Sequence, residues 1–183
     1  MKTVLVPLAQ GCEELEAVTI IDLLRRAEID VVVAGVDNQP VKASHGVTFL
    51  PDTTLDEALR TEYDMIVLPG GLPGADNLNN DARIQSVLKK MHDSGKFIGA
   101  ICAAPAVLGR AGLLRGKRAT SYPGFLDKMD LPEVQYTGSP VERDGTIITS
   151  RGPGTAMDFA LEIIEALRGA DVRKKVEKSL VRS

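Results

Sequence analysis

The sequence predicts an α/β domain of the doubly wound kind, on three observations. Apolar runs recur without strict alternation, helical patterns separate them, and the segments richest in chemical groups fall where those runs end. "TVLVPL" (3–8), "DVVVAGV" (30–36), "DMIVLPG" (64–70) and "FIGAIC" (97–102) are near-continuously apolar, the pattern of strands buried on both faces. Between them, "EELEAVTIIDLLRRAE" (13–28), "TLDEALRT" (54–61) and "DARIQSVLKKMHDSG" (81–95) have helical period and propensity. Gly95 terminates the last of these, with Lys89, Lys90 and His92 suited to the negative end of its dipole. Such alternation implies a parallel sheet covered on both sides through right-handed crossovers.

The remaining segments fit the same plan. "QPVKASHGVTFLPD" (39–52) reads as a short extended excursion, and "PVERDGTIITS" (140–150) as a hairpin around Asp144-Gly145. "GTAMDFALEIIEALRG" (154–169) is a strongly amphipathic helix, followed by a weaker terminal one in "DVRKKVEKSLVRS". No internal repeat, linker or low-complexity stretch divides the chain. Residues 1–183 are therefore read as one domain, long enough to bury a core without staples.

Composition narrows the function. With 22 Lys and Arg against 25 Asp and Glu, the net charge is −3, which argues against a dedicated nucleic-acid site. The basic run Arg173, Lys174, Lys175 and Lys178 reads as a solvated helix face. "TVLVPLA" follows Met1-Lys2 too briefly for a secretion leader, and no apolar run reaches membrane-spanning length. The two cysteines, Cys12 and Cys102, form no framework, and two histidines, His45 and His92, assemble no zinc site of standard spacing. A reducing, cytoplasmic setting is the expectation. No phosphate loop or dinucleotide fingerprint occurs, and Glu13, Glu14 and Glu16 would repel a phosphate from the first helix.

In sheets of this kind ligands bind beyond the carboxyl ends of the strands. "AQGCEELE", "PGGLPGADN", "CAAP" and "SRGPGT" all fall there. Cys102 ends a strand, Ala100 and Ala104 flank it in a small-x-Cys-x-small pattern, and Pro105 suits a first helical turn. That is the frame of a nucleophile elbow. Free cysteines are commonly inert core residues, but here the small neighbours and convergent loops favour a reactive thiol, with its pKa lowered by the helix N-terminus. Glu16 shares a stripe with Ile20, Leu23 and Ala27, so it points to the sheet, whereas Glu14 lies with Val18, Asp22 and Arg25. Burial beside sulfur raises the pKa of Glu16 and suits it to general acid and base work. Glu13 and Glu14 are read as complementing the helix dipole only. The amides of Gly70, Gly71 and Ala103 are candidates to face an oxyanion. Tyr122, Arg151, Gly152 and Pro153 are candidate pocket residues, Arg151 as an attractor of anions, although Pro153 at a helix start has a structural reading too. His92 belongs to a solvated helix surface.

"AQGCEELEAV", "IVLPGG", "AICAAP" and "TSRGPGTAMDFAL" occur in order along essentially the whole chain. Together they resemble the ThiJ/PfpI superfamily, and within it the branch of the parkinsonism-associated protein deglycase and its bacterial homologues. The resemblance implies a flavodoxin-like three-layer sandwich with a mostly parallel central sheet, and a homodimer. It implies that Cys102 is the reactive cysteine, that Glu16 is the acid beside it, and that Gly71 and Ala103 supply oxyanion-hole amides. Two departures stand out. Tyr122 occupies the place where many members have a histidine, and Ser44-His45 replaces a Ser-Arg pair of some relatives.

The resulting expectation is a cofactor-free enzyme that acts on 2-oxoaldehydes or their early adducts with protein and nucleotide amines, in the manner of a glyoxalase III or deglycase. Methylglyoxal would become lactate through a Cys102 hemithioacetal, with Glu16 as acid and base and no metal, nucleotide or glutathione. The alternative is a redox-sensing stress protein or chaperone that works through oxidation of Cys102. A cysteine peptidase or amidase is disfavoured, because tyrosine at 122 cannot replace a neutral-pH histidine base.

Overall fold

The computed structural model describes residues 1–182. In chain order, β1 (Thr3–Leu8) leads through α1 (Glu14–Arg26) to β2 (Asp30–Gly35), then to a hairpin of β3 (Val41–Lys42) and β4 (Thr48–Phe49). There follow β5 (Thr53–Thr54), α2 (Leu55–Ala58), β6 (Met65–Leu68), α3 (Gly74–Asn80), α4 (Ala82–Asp93), β7 (Phe97–Ile101) and α5 (Pro105–Arg110). The last part holds β8 (Arg118–Ala119), β9 (Gln135–Tyr136), a hairpin of β10 (Val141–Asp144) and β11 (Ile147–Ser150), then α6 (Ala156–Arg168) and α7 (Ala170–Ser179).

Seven strands form the main sheet in the order β10-β11-β7-β6-β1-β2-β5. Every pairing is parallel except β10 with β11. From β1 the chain winds one way to β2 and β5, returns to β6 on the other side of β1, and continues to β7 and β11. That reversal opens a crevice beyond the carboxyl ends of β1 and β6, the place where such sheets bind ligands. Pro7 is tolerated inside β1 because the registered pairs with β6 stop at Leu5, so its missing N–H removes none of them.

Side chains alternate into two cores. Val4, Val6, Leu8, Met65, Val67 and Ile101 join the layer built with α1, α6 and α7, while Leu5, Ile66, Leu68, Ile98 and Ala100 join the opposite one. The three-layer arrangement implied by the resemblance is thus present. Gly99 lets the first core close: a Cβ there would lie 3.1 Å from Phe159 Cζ and 2.8 Å from Met65 Cε.

The sequence reading is corrected in three places. The helix expected over 54–61 is a single turn, α2, after which Tyr63 donates to the Ala58 carbonyl at 2.9 Å. The loop expected through "PGGLPGADN" contains α3, which is held by burial of Ala75 and Leu78 and by the Asn77 amide on the Gln10 carbonyl at 2.9 Å. The amphipathic helix expected from 154 begins with a 3₁₀ turn over Pro153–Thr155.

Phe159 is fully buried at the centre of the α6 side. Phe159→Ala should therefore lower stability by about 3–5 kcal/mol, read as an earlier urea midpoint with an unchanged slope.

Candidate active site

Three strand ends build the site. Beyond β1, the first turn of α1 carries Glu16, whose side chain is fully buried. Ile20, Leu23 and Ala27 are buried below it and Val18, Asp22 and Arg25 are exposed, as the helical stripes require. Beyond β6 come Gly70 and Gly71, and beyond β7 comes Cys102. Cys102 has φ +64°, a left-handed conformation that is costly for a residue with a side chain and is kept only where the surroundings impose it. Here its N–H donates to the Ser150 carbonyl at 3.0 Å, and its carbonyl accepts from Tyr122 at 2.9 Å. Ala100 and Ala104 are fully buried on either side. The elbow inferred from the small-residue frame is what the backbone adopts.

Gly70 is the crossing point. Its N–H donates to Glu16 Oε2 at 2.8 Å, and its carbonyl accepts from the Glu13 amide at 2.9 Å. A Cβ on it would lie 2.6 Å from Cys102 Cβ and 2.8 Å from Glu16 Oε2. Its amide is therefore spent on the carboxyl, which corrects the expectation that it would face an oxyanion. The amides of Gly71 and Ala103 both favour negative charge on the Cys102 sulfur. Glu16 Oε1 is buried without a hydrogen-bond partner among the described residues, and the Cys102 thiol is the polar group that remains beside the carboxyl.

Burial raises the Glu16 carboxyl from 4.5 to about 7, against the lowering effect of the Gly70 amide and the thiol. Cys102 departs from expectation. Burial, then the Glu16 charge and its hydrogen bond, push the thiol up to about 12, while the Gly71 and Ala103 amides pull the other way. The dipole of α5, only six residues long, does not overcome desolvation. Two of the three raising influences come from ionised Glu16, so a proton on that carboxyl leaves burial alone opposing the amides. Cys12, the other thiol, is buried and also raised to about 12, first by burial.

Tyr122, Pro123, Arg151, Gly152 and Pro153 line a hollow of about 500 Å³ with Gly154 and Thr155, which adjoins Cys102 through the Tyr122 amide and the residue after Ser150. Cys102 itself does not line it. His92 is on α4, away from these strand ends.

Glu14 does more than complement a dipole, which corrects the reading from sequence. Its carboxylate accepts from the His45 amide at 2.9 Å, the Val47 amide at 3.4 Å and the Ser44 hydroxyl at 3.1 Å, tying the β3–β4 turn to α1. Burial opposes its charge, yet these hydrogen bonds and one from its own amide hold it at about 2. Glu13 caps the helix by accepting from the Leu15 amide at 3.3 Å. Glu13, Glu14 and His45 are also the one group, among the described residues, whose ligand atoms are close enough for a metal ion. Their atoms are already engaged with one another and with Ser44.

A strained cysteine at an elbow beside a buried carboxyl, on a doubly wound sheet, defines a class of cysteine-centred α/β proteins. The chain belongs to the DJ-1/PfpI family, which it matches over residues 2–166. It is 45% identical over 98% of its length to Protein DJ-1 homolog A of Arabidopsis thaliana. The chain spans less than half of that relative and of homolog B, 46% and 41%. It is 37% identical to the Caenorhabditis elegans glutathione-independent glyoxalase DJR-1.2, over 93% of this chain and 91% of the relative. Among solved structures, oxidized Toxoplasma gondii DJ-1 superposes with a TM-score of 0.95 at 40% identity, covering all of both chains. The flavodoxin-like fold is thereby established. Among the described residues, no helix is long and apolar enough to cross a membrane.

Glu16 should leave a signature in stability. Its folded pKa of about 7 lies above the ordinary 4.5, so its contribution is complete below 4.5 and is lost as pH rises through 7. For this one group the loss is ~3 kcal/mol. Urea denaturation at about pH 5 and about pH 8 should show that decline in the wild type. Glu16→Gln should remove it.

Proposed function

We propose that the protein is a cofactor-free enzyme that converts 2-oxoaldehydes, free or as early adducts on amines, into 2-hydroxy acids. The observation that carries this reading is the fully buried, partly unpartnered Glu16 carboxyl beside a cysteine held at φ +64°. The name of the Caenorhabditis elegans relative adds support from outside the chain.

In this reading the pair acts with one proton. Glu16 holds it, and the Cys102 thiolate attacks the aldehyde carbon of methylglyoxal. A C–S bond forms, and the carbonyl electron pair moves to an oxygen that faces the Gly71 and Ala103 amides. Glu16 protonates that oxygen and the hemithioacetal results. The carboxylate then takes the proton from the former aldehyde carbon and returns it to the neighbouring one, through an enediol. The aldehyde carbon ends oxidised as a thioester, and the ketone carbon ends reduced as an alcohol. Water cleaves the thioester, releasing lactate and restoring the thiol. No external oxidant or reductant enters.

Lactate release from methylglyoxal should vanish in Cys102→Ser and fall about 10²–10⁴-fold in Glu16→Gln. Equal rates in all three proteins overturn the reading. In the wild type kcat/KM should rise with pH through about 7, where the doubly protonated pair loses its first proton. In Glu16→Gln that limb should move upward in pH.

The redox-sensing reading is favoured by one arrangement, the Gly71 and Ala103 amides with Glu16 around a half-buried sulfur, because the same donors suit sulfenic or sulfinic oxygen. A homodimer belongs to the proposal as well. Leu15, Val18, Val47 and Leu50, the last 82% exposed, present an apolar face on α1 and the adjoining hairpin. A cytoplasmic, reducing setting suits the two free thiols. Light scattering should give twice the chain mass, and Leu50→Glu should reduce it.

A further inference from the structure

The chain has twelve arginines. Among the described residues, eleven have a carboxylate oxygen within 4.0 Å. Arg151 is the exception. It is exposed on the wall of the 500 Å³ hollow that adjoins Cys102. Its backbone directly follows Ser150, whose carbonyl receives the Cys102 amide at 3.0 Å. The guanidinium makes one hydrogen bond, Nη1 to the Gly138 carbonyl at 3.2 Å. That bond anchors the head and leaves the Nε–Nη2 edge open, the edge geometry that grips a carboxylate with two parallel hydrogen bonds.

Other features of the hollow support a ligand with one anionic end. Tyr122 and Pro153 give it apolar walls, and Tyr122 is set against Gly152, where a Cβ would lie 3.1 Å from its ring. The Gly152 amide donates to Thr155 Oγ1 at 3.1 Å, so it is not available to an incoming anion. A single guanidinium matches the one charge of a carboxylate better than the two charges of a phosphate.

We propose that Arg151 is a specificity-determining residue: it recognises the carboxylate of a carbonyl compound whose reactive end lies at Cys102. This rests on the reading of Cys102 as the nucleophile and names the substrate class for it, 2-oxoaldehydes that carry a carboxylate. With 4,5-dioxopentanoate the aldehyde carbon would be oxidised and the ketone carbon reduced, with water supplying the second carboxylate oxygen, to give 2-hydroxyglutarate.

Two measurements test this, and the first does not depend on turnover. Iodoacetate and iodoacetamide both alkylate a thiolate, forming a C–S bond and expelling iodide, but only iodoacetate is anionic. The ratio of their rate constants at Cys102 should fall about three- to tenfold in Arg151→Gln and be largely kept in Arg151→Lys. An unchanged ratio in Arg151→Gln overturns the proposal. So does inorganic phosphate that abolishes the iodoacetate preference at concentrations where propionate has no effect. In the second measurement, the preference of the enzyme for 4,5-dioxopentanoate over methylglyoxal should fall in Arg151→Gln. If the wild type turns over neither compound, the proposed catalytic function fails, while the alkylation ratio still decides the role of Arg151.

Discussion

The site depends on how closely three chain segments approach at Gly70. The loop after β6 passes between the first turn of α1 and the end of β7 at a separation that excludes even a methyl group. Because no side chain intervenes, one backbone amide fixes a carboxyl oxygen of Glu16 and the same residue presses on the Cys102 Cβ. The cost of keeping Cys102 left-handed is offset by this packing and by the two backbone hydrogen bonds that hold it. A small residue, an acid and a thiol thus form one mechanical unit, although they lie far apart along the chain.

Burial raises both thiols to about 12, yet their surroundings differ. Cys12 is enclosed within the α1-side core, where burial first and then the charge of Glu14 hold its proton on. Cys102 is half-buried, with directed amides on one side and a carboxyl that titrates near neutrality on the other. Desolvation raises both, so the difference in chemistry comes from what can share the proton. In the proposed reaction that pair stores one proton, and the amides receive the charge that appears when it moves.

Much of this was legible in the sequence. The buried strands were readable to within a residue or two, because a parallel sheet covered on both faces demands unbroken apolar runs. Glu16 was readable because four residues on one helical stripe share a direction, and the elbow because small residues flank Cys102. What escaped depended on distance along the chain or on depth. Glycines and prolines concealed α3, which is held by Gln10 and by core contacts rather than by its own propensity. The partners of Glu14 lie some thirty residues away on a hairpin that local pattern barely marks. The thiol pKa followed the depth of burial, which no local motif encodes, and the Gly70 amide had two possible acceptors that only packing could distinguish.

The Glu14 clasp makes the hairpin and α1 a single lever. Val47 and Leu50 sit on one arm, and Glu16, two residues beyond Glu14, sits on the other. Pressure applied to the hairpin is delivered to the first turn of α1 rather than absorbed by a slack loop. Any surface that settles on those apolar residues therefore also stiffens the seat of the carboxyl.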